Sequence, residues 1–338
     1  MPTYSLALLE RGGTLPLPDF FVIGAPKAGT TALHAALAEH PQLYLSAVKE
    51  PKYFLCDDAP PVNQAGPGDA HSAREWVWDR QRYEELFAPA PEGALRGEST
   101  PLYLADLDSH RRIHDAVPDA RLVAVLRDPV DRAYSNWAHL WADGLETIDD
   151  FVAACAEEPR RREAGWAPFW RYLETGLYGR QLLHLFSLFD RDQVHIIRYM
   201  DLVGSPAATL DGVCRFLGVE EGVVTEVPAR NVGGYVPPSL YVKVLRGVFR
   251  GGASLGQHFH PQVWRKASLP LQWLMQRTPQ HRPELAESER AQLVEYFARD
   301  IDVVEEITGW DLSTWRNYRE GGTYSVRKSW APSRRLVS

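Results

Sequence analysis

The sequence predicts an α/β protein: a parallel β-sheet flanked by helices, with a mainly helical C-terminal third. Three observations lead there. Apolar runs at residues 20–23, 122–126 and 194–197 have the length and unbroken hydrophobicity of strands buried on both faces. They alternate with helical patterns at 31–40, 131–140 and 178–189, and strands separated by helices form a parallel sheet covered on both sides. Toward the C terminus the pattern becomes an apolar stripe, Leu293, Tyr296, Phe297, Ile301, Val304 and Ile307, with Gly309 as a helix stop. Short extended pieces at 43–45 and 95–97 add candidate strands.

The first strand runs into a loop that makes the sheet P-loop-type. Residues 20–31 read Phe-Phe-Val-Ile-Gly-Ala-Pro-Lys-Ala-Gly-Thr-Thr. A helix opens at Thr30-Thr31, with Leu33, Ala36, Leu37 and His40 at helical spacing. Strand, glycine loop and helix N-terminus form an anion cradle, because free amides and the positive end of the helix dipole face the loop. Gly24 and Gly29 keep the spacing of a Walker A loop, but Thr30 stands where that motif has its lysine. The lysine lies inside the loop, at Lys27, which argues against a kinase or ATPase whose lysine must reach the β- and γ-phosphates. The plain alternative is a Gly-Pro turn between a strand and a helix.

A second segment, residues 121–135, begins with another buried-strand pattern and places Arg127 at the strand's C-terminal end. Asp128-Pro129 signals a turn into a helix, and Ser135 lies eight residues beyond Arg127. An arginine at a strand end and a serine on the next helix can grip one phosphate, the arginine through bidentate charge-assisted bonds. Taken alone, Arg127 would be a surface ion-pair partner of little energetic weight. Ligands in such sheets bind outside the carboxyl ends of the strands, so Lys27 and Arg127 should face one crevice.

Both segments resemble the sulfotransferases that use 3′-phosphoadenosine 5′-phosphosulfate (PAPS). The first is similar to their 5′-phosphosulfate loop and the second to their 3′-phosphate site. Further resemblance lies in Lys49-Glu50-Pro51-Lys52-Tyr53-Phe54, which looks like the heparan-type and related bacterial enzymes, and in residues 97–103. It continues through Gly176-Leu177-Tyr178, residues 193–202 and the closing segment 309–315. It spans roughly residues 19–315, although 236–283 matches nothing, and Met200 stands where the family often has a glutamate.

The resemblance implies a sulfotransferase that moves a sulfuryl group from PAPS to a hydroxyl, less readily an amine, of a small or medium acceptor: a saccharide, glycolipid, lipid or secondary metabolite. It implies no metal. The amides of Ala28, Gly29, Thr30 and Thr31 and the threonine hydroxyls would hold the 5′ end, and Lys27 would neutralise charge on the bridging oxygen. Arg127 and Ser135 would hold the 3′-phosphate, and Tyr178 would pack near the adenosine. Glu50 is the candidate general base, a role suited to a carboxyl whose pKa burial raises toward the working pH. The alternative is a solvated glutamate between Lys49 and Lys52, either of which could instead contact an acidic acceptor. His34, His40, His110, His114 and His139 are substitute bases, with His34 and His40 read as structural. Glu98 and Asp106 are lesser candidates. A P-loop kinase or phosphotransferase, or a non-catalytic nucleotide-binding protein on the same fold, remain as alternative functions.

Composition bounds the rest. The 338 residues, 45% hydrophobic and 24% charged, describe an ordinary globular chain. The expected organisation is an extension at 1–18, a single domain at 19–320 (an α/β core to 235, a helical part from 236) and a tail at 321–338. A net charge of −7 argues against general nucleic-acid binding. The basic groups at Arg74, Arg80 and Arg82, at Arg160–Arg162, and at Arg265 and Lys266 read as solvated faces. The three dispersed cysteines, Cys56, Cys155 and Cys214, fit no metal or disulfide spacing and point to a reducing compartment. With no signal-peptide pattern in 1–17 and no apolar run of membrane-spanning length, a cytoplasmic protein without a membrane span is expected. Residues 57–72 read as a surface insertion or a mobile loop beside the acceptor cleft. Trp137, Trp141, Trp166 and Trp170 read as helical core residues, or as a platform for a flat acceptor.

Overall fold

The computed structural model describes residues 17–62, 64–228 and 285–316. The expectations for 1–16, 236–283, Arg265, Lys266 and the tail from 321 lie outside the described residues.

Five strands, β1 (Phe20–Gly24), β2 (Leu43–Leu45), β3 (Leu95–Ser99), β4 (Arg121–Leu126) and β5 (Val194–Arg198), form one parallel sheet in the order β2-β3-β1-β4-β5. The helices between them are α1 (Thr30–Leu37), α2 (Asp69–Ser72), α3 (Arg80–Glu85), α4 (Leu107–Ala116), α5 (Pro129–Ala142), α6 (Phe151–Ala156), α7 (Glu158–Glu163) and α8 (Tyr178–Phe186). After β5 come α9 (Tyr199–Gly204), α10 (Pro206–Leu217), α11 (Glu287–Thr308) and α12 (Ser313–Arg316).

β1 is buried along its whole length because neighbours flank it on both edges and helices cover both faces, which explains its unbroken apolar sequence. The chain builds β2 and β3 on one side of β1 and β4 and β5 on the other. The reversal therefore falls at β1, and the crevice beyond its carboxyl end receives the loops after β1, β3 and β4. Gly97 lets β3 approach β1. An added Cβ there would lie 2.1 Å from Cζ of the fully buried Phe20 ring. Gly97→Ala is therefore expected to destabilise the fold by about 1–3 kcal/mol through overpacking, read as a lower urea midpoint at unchanged m-value.

The C-terminal helix α11 packs against α8 and α5. Leu293, Phe297, Ile301 and Val304 are buried as the stripe predicted, whereas Tyr296 is half exposed and flanks that face. Asp300 accepts hydrogen bonds from the Gly179 and Arg180 amides (2.8 and 2.9 Å), so α11 caps the positive end of α8. Residues 57–60 are exposed, in line with an insertion. Asp69, however, anchors the following turn by accepting from the Gly66 and Ala167 amides and from Trp170 Nε1 (2.8, 2.8 and 2.9 Å). Trp137, Trp141 and Trp170 are each 2% exposed and belong to the core. Trp166 precedes a short 3-10 turn, Pro168–Trp170, instead of lying in a helix, because Gly165 and Pro168 bracket it. The three cysteines are buried and unpaired. No helix among the described residues is long and apolar enough to cross a membrane.

Candidate functional site

The loop after β1 and the strand end of β4 meet, as the topology demands. Arg127 Nη1 donates to the Lys27 carbonyl at 3.1 Å, and the guanidinium lies 4.8 Å from the centroid of the Tyr199 ring. No carboxylate pairs with Arg127 among the described residues. Asp128 caps α5 by accepting from the Val130 and Asp131 amides, with Pro129 in the first turn. Ser135 follows on that helix, half buried.

The cradle itself differs in one respect from expectation. The Ala28 amide donates to the Ala25 carbonyl at 3.1 Å, so the tight turn that forms the loop consumes it. Ala32 and Leu33 both donate to the Gly29 carbonyl. The amides of Gly29, Thr30 and Thr31 are left without an acceptor among the described residues, at the positive end of α1. Gly29 has a φ of 88°, a conformation that favours glycine, and a Cβ there would press on the Tyr199 ring at 3.2 Å.

Lys27, Glu50 and Lys52 are three of the four described non-glycine residues at positive φ. Such conformations persist only where surrounding structure over-determines them, and they cluster at binding sites. The surrounding structure here is the end of β3. The Glu50 amide donates to the Ser99 carbonyl (3.0 Å), and the Lys52 amide donates to Thr100 Oγ1 (3.2 Å).

Burial brings the Lys27 ammonium down to about 8; Arg127 and Arg132 push the same way, opposed by Asp143 and Glu50. For Glu50 the sequence expectation is reversed. Burial pushes its carboxyl up, but Lys49, in direct contact, and Lys52 outweigh that and hold it below the ordinary value. A carboxyl near this segment that burial does raise, to about 7, is Glu98, which is fully buried and receives the Tyr83 and Tyr103 hydroxyls at 2.7 and 3.4 Å. A cleft of about 320 Å³ opens beside Glu50, lined by Val48, Lys49, Glu50, Lys52, Glu75 and Trp76. Its aromatic wall is Trp76, which carries the Lys52 ammonium 5.2 Å from its ring centroid, and none of the four tryptophans singled out in sequence lines it.

Among the histidines, His34 contacts Ser99 Oγ (2.9 Å), His40 the Glu220 carbonyl (2.9 Å), His110 the His184 ring (3.0 Å) and His114 Asp115 (3.6 Å). His139 stands 3.6 Å from Asp143, within electrostatic reach of Lys27 and Glu50. Asp106 caps α4. Tyr178 is 1% exposed and sits in the core, edge-on to Trp315, so it presents no open face for a ring to stack on. Sequence reasoning missed Arg132, Asp143 and Tyr199. The only signal was the placement of Arg132 and Asp143 on or just after the helix that follows Arg127.

The sulfotransferase family model matches residues 18–222, more than half of the chain. The chain belongs to the sulfotransferase family. This sulfotransferase-family chain is 28% identical to human carbohydrate sulfotransferase 15, covering 69% of the chain and 52% of that protein. It is 29% identical to mouse heparan sulfate glucosamine 3-O-sulfotransferase 3A1, covering 66% and 51%. The chain thus spans about half the length of these curated relatives. The crystal structure of a sulfotransferase from Alicyclobacillus acidocaldarius superposes with a TM-score of 0.67 at 28% identity, over 89% of this chain and all of that one.

Proposed function

We propose that this protein is a PAPS-dependent sulfotransferase acting on a hydroxyl of a small or medium acceptor, with a saccharide as the leading class. The observation that carries the reading is the Arg127 guanidinium: among the described residues it has no carboxylate partner, and it is bonded through the Lys27 carbonyl to a loop whose amides at 29–31 have no acceptor there. Such a site offers positive charge at two separated points, which suits a nucleotide charged at both its 3′ and 5′ ends. A magnesium nucleotide would instead ask for a carboxylate at the β4 end, where Arg127 stands. The names of the two relatives support a carbohydrate acceptor.

PAPS supplies the activated sulfuryl group. The amides of Gly29, Thr30 and Thr31 and the threonine hydroxyls hold its 5′ end, and Arg127 with Ser135 holds the 3′-phosphate. Glu50 takes the proton of the acceptor hydroxyl as the new S–O bond forms, while Lys27 meets the charge that appears on the bridging oxygen as the old bond breaks. Lys49 and Lys52 keep Glu50 ionised and line the cleft from which the acceptor approaches.

Titration of 3′-phosphoadenosine 5′-phosphate against ATP, with and without magnesium, tests the donor assignment. The bisphosphate is expected to bind without metal at micromolar strength or better and to be displaced poorly by ATP. Arg127→Ala is expected to weaken it by about 10- to 100-fold, the scale of a lost charge-assisted bidentate contact. Tight magnesium-ATP binding with a silent Arg127→Ala variant would favour a phosphotransferase.

The Lys27 ammonium gives a pH dependence to the same titration. Below about pH 7 the Lys27 ammonium carries its full charge. As pH rises through about 8 the free protein loses that proton, so bisphosphate affinity should fall. Lys27→Arg, charged throughout, should flatten the loss.

A further inference from the structure

We propose that Tyr199 is a positioning residue whose ring holds the Arg127 guanidinium in place for a 3′-phosphate. The inference rests on the donor site proposed above. Sheet register makes the two residues neighbours: Leu126 pairs with Arg198 across β4 and β5, so the residues that follow the two strands, Arg127 and Tyr199 at the head of α9, leave the carboxyl edge side by side. The guanidinium carbon lies 4.8 Å from the ring centroid. The ring also abuts Gly29, since a Cβ there would lie 3.2 Å from Tyr199 Cε2. Tyr199 is thus seated between the head of α1 and Arg127, and it joins the 5′ loop to the 3′ arginine.

The chemistry suits a phosphate ligand. A guanidinium held by its face on an aromatic ring keeps its edge donors available, and one of these already binds the Lys27 carbonyl at 3.1 Å. The remaining fork is directed by two fixed contacts instead of by a carboxylate, which would compete with the ligand for the same donors. Without the ring, the arginine keeps its charge but loses its aim.

The readout is the ratio of affinities for 3′-phosphoadenosine 5′-phosphate and adenosine 5′-phosphate, since damage to the shared part of the site weakens both alike. Tyr199→Leu is expected to lower the wild-type ratio by about three- to thirtyfold, the span of a cation–π contact from exposed to desolvated, while Tyr199→Phe stays within about twofold. A polyfluorinated phenylalanine at position 199 keeps the shape and removes the electron-rich face, so it should behave like Tyr199→Leu even if the leucine variant folds poorly. An unchanged ratio in Tyr199→Leu, equal loss of both ligands, or a fluorinated variant that matches Tyr199→Phe would overturn the inference. A wild-type protein with no preference for the bisphosphate would instead overturn the donor reading, and this inference with it.

Discussion

Glu50→Gln is expected to lower turnover by about 10²- to 10⁴-fold while leaving bisphosphate affinity within about twofold, because the substitution removes a proton acceptor and keeps the shape. The argument starts from the backbone. Glu50 is held at a φ of 61° by its amide's bond to the end of β3, so its side chain has a defined origin at the cleft edge. Lys49 and Lys52 keep the carboxyl ionised below its ordinary value, so it is available as a base throughout the neutral range and weak in driving force. The pH profile follows with its sign. A depressed carboxyl stays deprotonated on acidification to pH 5, so turnover should be flat from about pH 5 to 7. It should then fall through about pH 8 as Lys27 loses its proton. A rate that instead rises with a midpoint near 7 would point to Glu98 as the base. Single-turnover measurement of PAPS consumption separates the chemical step from binding.

Arg290→Ala is expected to cost about 3–5 kcal/mol of stability, the penalty for leaving buried carboxylates without their cation. Arg290 projects from α11 to Asp128 and, at 2.8 Å, to Asp131; it is 5% exposed and Asp128 7%. Asp128 is also the cap of α5, so the bond ties the C-terminal helix to the turn that presents Arg127. Burial and Asp131 push the Asp128 carboxyl up, and Arg290 opposes them. Even with Arg290 in place the folded Asp128 carboxyl lies above its unfolded value, and removing Arg290 raises it further. Such a group costs stability as pH rises, so the deficit should be smaller at pH 5.5 than at pH 8 in paired urea melts. A deficit under about 1 kcal/mol at pH 8, the scale of a surface pair, would show that the bridge is solvated and the α11 latch unimportant.

Most of the fold could be read in the chain because its signals are local. The five strands were anticipated within two residues at each end: β1 and β4 because a strand buried on both faces is apolar nearly throughout, β3, which reads Leu-Arg-Gly-Glu-Ser, only as a short extended piece. The phosphate-loop and Arg127 motifs were equally legible, because a tight anion cradle requires particular residues at particular spacing. Tyr178 shows the limit of that reasoning: its motif placed it at the start of α8, and α8 turned it into the core against Trp315.

The sequence by itself determined the sheet and placed Lys27, Arg127 and Glu50, the charged groups on which the proposed donor and acceptor site rests, in the segments that follow its strands. Only the tertiary structure decided how those groups behave. The reversal of strand order at β1 brought residues 27 and 127 into contact, and register brought 199 beside them. Two lysines lowered the Glu50 carboxyl when burial alone would have raised it, and a loop turn took the Ala28 amide. Secondary structure follows from neighbours within a few residues. The lysines that act on Glu50 and the carbonyl that takes the Ala28 amide are chain neighbours, but the contact of Arg127 with Lys27 joins residues 100 positions apart, which only the fold brings together.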